Sequence, residues 1–251
     1  MTERPGPDIF LRNGGWCWFQ DPRAIVHGNH LVIGGVEGNR AGAAVVGVYN
    51  LRERRQTGRA VLHPEFDHDD HNAPAFYARP DGRILAVYAR HHGESCFRTR
   101  LTVSGDPLRW GPERQIATGD PVTYANLHEL SDEGRLLNLF RGVRWNPTLL
   151  ESADGGITWG RETHFIASTL EGRHRPYARF AGNGRNTLHV AFTDAHPRNF
   201  GNSLYYAAFR GGGFYRADGT RIKDLEREGP LRPDEAERVF AGSGRPGTEH
   251  G

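Results

Sequence analysis

Cysteine is scarce: Cys17 and Cys96 are the only two in 251 residues. A single pair permits at most one bridge and forms no close metal-binding pair, so each is expected as a small buried side chain. An uninterrupted apolar run of about 18 residues, which a membrane-spanning helix needs, is missing. So is an apolar leader after Met1. No membrane partner and a cytoplasmic location are therefore expected, with secretion as the alternative if the N-terminus is incomplete. Charge of one sign is also lacking, since 32 basic side chains meet 30 acidic ones and leave +2. Such a balance creates no global field for nucleic acid, and no basic run or zinc pattern supplies a local one. Neither Gly34-Gly35 nor Gly211-Gly212-Gly213 leads into Gly-Lys-Ser/Thr, which excludes a phosphate loop. Nucleophile settings of the Gly-x-Ser-x-Gly or Ser-x-x-Lys type are absent, as is any run with helical caps and period.

What is abundant points one way. Thirty-three glycines and 15 prolines, beside five Trp and 13 Phe, favour many short strands joined by tight turns. Ala24–Val26, Leu31–Gly35 and Ala44–Tyr49 read as the strands of a first unit. A second pairs 73–77 with 84–90 through Arg79-Pro80-Asp81-Gly82 and runs on through 96–101 toward Trp110. A third covers Tyr124, 136–141 and 148–150, and a fourth takes 177–180, 188–193 and 203–209. The most specific local pattern is Ser152, Asp154, Gly155, Gly156, Thr158 and Trp159. Its glycines supply backbone angles other residues resist, and its Asp and Ser cap nearby N–H groups. A weaker relative runs from Ser104 to Trp110, and the two tryptophans stand 49 positions apart, the length of one four-stranded blade. The pattern resembles the Asp-box of sialidase-like propellers.

The expected fold is all-β, a β-propeller of sialidase-like blades, short or partial, with about four to five blades. A flexible lead-in is expected over 1–14, the propeller over 15–225, and a polar, disordered tail over 226–251. Four units and a remnant are few for such a propeller, so the chain reads as a shortened member or, preferably, a fragment. A monomer is expected.

A more specific likeness is carried by Gly15-Trp16-Cys17-Trp18-Phe19-Gln20-Asp21-Pro22-Arg23-Ala24 and by Asp69-Asp70-His71-Asn72-Ala73-Pro74. It continues in Thr123-Tyr124-Ala125-Asn126-Leu127, Phe140-Arg141-Gly142 and Phe192-Thr193-Asp194-Ala195-His196-Pro197-Arg198-Asn199. In order and over about residues 14 to 225, these segments resemble the BNR-4 group of propellers, which includes ulvan lyases acting on a sulfated algal polysaccharide by β-elimination. The resemblance implies a central groove with two histidines, a tyrosine and an arginine. Those positions match His71, then His91 or His92, Tyr124 and Arg141. Strand alternation lets only one of His91 and His92 face a groove.

These residue types suit the chemistry directly. Elimination at a uronate removes the C5 proton and expels the C4 oxygen, so negative charge builds on the adjacent carboxylate. Arg141 offers a forked donor pair for that carboxylate, assisted by a donating His. Tyr124 can take the proton as phenolate and return it to the leaving oxygen. Arg175, Tyr177 and Arg179 alternate and are candidates for an anionic-sugar subsite, together with Asn72 and Asn126; ordinary cross-strand pairing is the competing reading. Asp194, His196 and Asn199 form a loop that turn hydrogen bonds or a metal would explain. Trp16, Trp18 and Phe19 suit either sugar stacking or a packing seam. The expected partner is an anionic polysaccharide; no cofactor is required for the chemistry, and a structural metal is left open. The alternatives are a noncatalytic carbohydrate-binding or degenerate propeller, and a sialidase-like hydrolase.

Overall fold

The computed structural model describes residues 9–38, 41–170 and 175–245. These form four antiparallel sheets, and among them no helix is long and apolar enough to cross a membrane. Packing divides the chain into two units, Met1–His91 with Phe97–Gln115, and His92–Cys96 with Ile116–Gly251.

In the first unit, Ala24–His27, His30–Glu37, Ala44–Asn50 and Arg55–His63 build one sheet, joined by Gly14–Gly15 against Val36 and Glu37. Ala44–Asn50 is buried along nearly its whole length, as its unbroken apolar run implies for a strand covered on both faces. Gly34 is required there: a Cβ would stand 2.7 Å from the Pro74 ring. The second sheet pairs Ala75–Ala78 with Ile84–Tyr88 and then with Cys96–Val103. Val32, Val46, Leu62, Phe76, Ile84 and Tyr88 form the apolar core of this unit, with Trp110 packed against it. Ser104 and Gly105, both at positive φ, turn Cys96–Val103 into Asp106–Trp110, the geometry a two-residue hairpin demands.

In the second unit, Thr123–Leu130, Arg135–Arg141, Pro147–Ser152 and Thr163–His164 form one meander. Ala178–Gly182, Leu188–Thr193 and Leu204–Arg210 lead the other. Leu137, Leu139, Phe165, Val190, Phe192 and Phe209 lie in its core. The Ser152 turn is locked by its own side chains. Gly156 N donates to Ser152 Oγ at 2.7 Å, Thr158 N to Asp154 Oδ1 at 2.9 Å, and Thr158 Oγ1 to Asp154 Oδ2 at 2.6 Å.

Three stretches depart from expectation. Arg55–His63 is a strand that the sequence reading passed over, because its first half is polar and exposed and shows no alternation. Residues 9–14 of the expected flexible lead-in are packed: Phe10 meets Tyr49 edge-on at 5.0 Å. Residues 1–8 lie outside the described residues. The expected disordered tail is ordered as far as residue 245, with Asp224 capping the short helix Leu225–Glu228 and Glu237–Phe240 pairing with Leu204–Tyr206. Buried Leu231 and Ala236 and the Lys223–Glu235 ion pair at 2.9 Å anchor it, although its composition is mostly polar. Residues 246–251 lie outside the description.

Candidate functional site

Two clusters of chemically able side chains emerge, one in each unit. The first is built on a single 3-10 turn, Asp70–Asn72, whose N-cap Asp69 accepts the His71 backbone N–H at 2.9 Å. The same carboxylate then takes His71 Nδ1 on one oxygen at 2.6 Å and His91 Nδ1 on the other at 2.8 Å. Bridged in this way, the two rings stack with centroids 4.1 Å apart. Buried Gln20 donates to the backbone carbonyls of Asp70 and His71. Burial opposes charge on His71, but the hydrogen bond and charge of Cys17, followed by those of Asp69, outweigh it and lift the imidazolium to about 9. Asp69 in turn is held below the usual carboxylate range: burial pushes it up, and the bonds from His71 and His91 more than offset that.

The second cluster gathers around Arg141, the last residue of its strand. Thr123 pairs with Arg141 and Asn126 with Leu139, so Tyr124 and Ala125 together oppose one residue. This bulge, with Tyr124 at φ 71°, re-aims a side chain that regular alternation would place elsewhere. Tyr124 is 6 % exposed and its ring centre lies 5.2 Å from the Arg141 guanidinium. Tyr177 stands at the same 5.2 Å and accepts a hydrogen bond from Arg141 Nη1 at 2.5 Å. Trp145 lies 5.6 Å from the guanidinium, and the His92 ring packs on Trp145 at 3.4 Å. His196 meets Tyr177 edge-on at 4.7 Å. Its pKa is lowered by burial and then by the charges of Arg198 and Arg141, and that of His164 by burial and then by Arg144 and Arg175. Arg141, Arg144, Arg175 and Arg198 thus place positive charge near these two rings, which favours an anionic ligand.

The adjacent histidines turn to different partners. His91 joins His71, while His92, at φ 53°, turns to Trp145. Strand alternation does not govern them because the strand ends at Tyr88. Tyr177 joins Arg141, Arg175 Nε donates to the Arg144 carbonyl at 2.8 Å, and Arg179 is exposed with its charge acting on His128. Asn72 and Asn126, expected as sugar contacts, are instead scaffold, being 0 % and 3 % exposed. Asn72 binds the Phe66 carbonyl at 2.8 Å and the His91 N–H at 2.6 Å; Asn126 binds the Leu139 carbonyl at 2.9 Å. Trp16 and Trp18 are exposed. Asp194 is engaged by Ser203 N at 2.6 Å and Tyr205 Oη at 2.8 Å, the turn bonding that explains its loop.

Sequence reasoning passed over Trp145 and the bridging role of Asp69. A signal for the first existed, an aromatic before Asn146-Pro147 and four residues after Arg141. Among the described residues, Cys17 with Asp70 and His71, and Asp69 with His71 and His91, have the donor types and spacing to hold a metal ion.

No curated protein matches the chain. Among solved structures it is similar to an ulvan lyase of a polysaccharide lyase family bound to -[GlcA(1-4)Rha3S]-, at 15 % identity with TM-score 0.71, over 94 % of this chain and 61 % of that one. The chain thus spans less than two thirds of that lyase. It is also similar to an arabinanase of Bacillus subtilis, at 13 % identity with TM-score 0.53, over 91 % and 82 %. An exo-1,5-α-L-arabinanase from a bovine ruminal metagenomic library gives 14 %, 0.52, 93 % and 82 %. At these identities the likeness is one of fold, an all-β propeller of sialidase-like blades, with four sheets among the described residues. Residues 32–246 match the BNR repeat-containing family, and the chain belongs to that family.

Proposed function

We propose that the protein is a polysaccharide lyase that cleaves a uronate-containing, anionic glycan by β-elimination. The observation that carries this reading is the Arg141 guanidinium held beside two tyrosines, one of them displaced onto it by a bulge. The guanidinium fork takes the uronate carboxylate and stabilises the charge that develops there as the C5 proton leaves. Tyr124, as phenolate, accepts that proton; the C4–O bond breaks, a C4=C5 double bond forms, and Tyr124 returns the proton to the departing oxygen. Tyr177 holds Arg141 in place through its hydroxyl. Similarity to an ulvan lyase supports the substrate class, and the cationic surroundings of His164 and His196 support the sign of its charge. Most glycoside hydrolases use two facing carboxyl groups. The carboxylate on the loop beside His196, Asp194, is already engaged by Ser203 and Tyr205.

The test is incubation of the folded protein with ulvan and other polyuronates while the ultraviolet band of the unsaturated uronate is followed. A rising band is expected. A flat trace with every polyuronate, from protein with native circular dichroism, overturns the reading; glycan binding without product, unchanged in Tyr124→Phe, replaces it with a noncatalytic binding propeller.

A further inference from the structure

Trp145 is an indole held where packing alone would not put it. Its surface is 46 % exposed, so much of the gain from burying the largest apolar side chain is forgone. Its backbone stands at φ 68° and that of Arg144 before it at φ 48°, a left-handed pair that non-glycine residues resist. The surrounding structure pins this loop from several directions. Trp145 N donates to the Gly142 carbonyl at 2.8 Å, and Arg144 N to Asp120 Oδ2 at 3.1 Å. Val143 N donates to Thr148 Oγ1 at 2.9 Å, and Asn146 Nδ2 to the Arg144 carbonyl at 3.1 Å. His92 packs on the indole from a second strained position, φ 53°. Of the eight positive-φ non-glycine residues among those described, His92, Tyr124, Arg144 and Trp145 belong to this one cluster. Strain gathered in one place and over-determined by hydrogen bonds points to function.

We propose that Trp145 is a sugar-stacking platform, seating the face of the pyranose next to the uronate whose carboxylate Arg141 takes. The proposal rests on the reading of Arg141 as a uronate clamp. The 5.6 Å between guanidinium and indole is on the scale of one sugar ring, so neighbouring residues of a glycan reach both. An indole face suits the C–H groups of a pyranose, and sugar sites combine such an apolar wall with a few placed polar groups. Trp145 is thus a binding residue that orients the chain and takes no proton.

The experiment uses the full chain carrying Tyr124→Phe, so that bound sugar persists. It is titrated with a -[GlcA(1-4)Rha3S]- tetrasaccharide and, separately, a neutral arabino-oligosaccharide, following tryptophan fluorescence and calorimetric heat. With the acidic sugar, Trp145→Ala is expected to weaken binding roughly 3- to 10-fold, the scale of one aromatic contact. Trp145→Phe is expected to keep affinity within about 2-fold, because a ring remains, while the fluorescence change is lost. Acidic-sugar binding that neither variant alters overturns the platform and leaves the uronate reading standing. Binding of the neutral sugar alone, with the Trp145 signal, overturns the uronate reading and keeps the platform. No binding of either sugar overturns both.

Discussion

The two clusters treat the same side chain in opposite ways. Around His71, the neighbours are Cys17, Asp69 and Asp70, and the imidazolium persists to about 9. Around His196, burial and the charges of Arg198 and Arg141 push the ring below its ordinary value. Histidine carries no fixed role in a sequence; the sign of the charges folded against it decides whether it donates or accepts. The clusters also differ in how local they are. Asp69, Asp70, His71 and Asn72 are consecutive and held by one turn, with His91 and Cys17 added from a distance, whereas Tyr124, the Arg141–Trp145 segment, Tyr177 and His196 meet through long-range pairing.

Four measurements break or sharpen that contrast. The largest effect is expected from Tyr124→Phe, with turnover on an active polyuronate falling about 10²- to 10⁴-fold while affinity stays near wild type. If the histidine pair serves the same reaction, as the family resemblance implies, His71→Gln falls within the same range; turnover within a few-fold of wild type would separate the two clusters in function. Next comes Arg141→Lys, expected to lower kcat/KM roughly 10- to 100-fold although charge is kept, because a single ammonium cannot reproduce the planar fork or its bond to Tyr177. Retained efficiency in steady-state kinetics would remove the carboxylate clamp.

Protonation supplies the third. Cys17→Ser should bring the His71 titration, read by NMR of the ring protons, from about 9 back toward 6.5. Because the folded value lies above the unfolded one, the stability this histidine contributes is complete below about 6.5 and is lost as pH rises through about 9. Denaturant midpoints measured across that window should slope downward in wild type and flatten in Cys17→Ser. An unchanged titration would show that Cys17 does not raise the charge-holding range of His71 and would leave Asp69 as its source. The smallest effect belongs to the Ser152 turn, remote from this contrast in charge and a control for it. Asp154→Ala removes acceptors for Ile157 N and Thr158 N and should cost about 0.5–2 kcal/mol in urea unfolding, with turnover unaffected. Asp154 is held at about 2, below its ordinary 3.8, so the loss should be full above 3.8 and vanish as pH falls through about 2.

Much was legible where neighbours in sequence are neighbours in space. Leu188–Thr193 lies where its apolar alternation puts it, and the Ser152, Asp154 and Gly156 turn closes with the side chains named for it. Arg55–His63 escaped because its exposed first half carries no apolar pattern and only Ala60 and Leu62 of its second half are buried; its partner Ala44–Asn50 supplies the order. Asn72 and Asn126 misled because an amide is equally suited to a sugar hydroxyl and to a buried carbonyl, and composition cannot say which it meets.

By itself, then, the sequence determined the class of element, the turns, and the kinds of side chain available for chemistry, since these follow from backbone angles, short-range capping and intrinsic acidity. Only the tertiary structure decided that His91 turns to His71 while His92 turns to Trp145, that Tyr124 is bulged onto Arg141, and that Asp69 bridges two rings. Those outcomes depend on register and on charges brought together from distant segments, and neither is a property of any local stretch of chain.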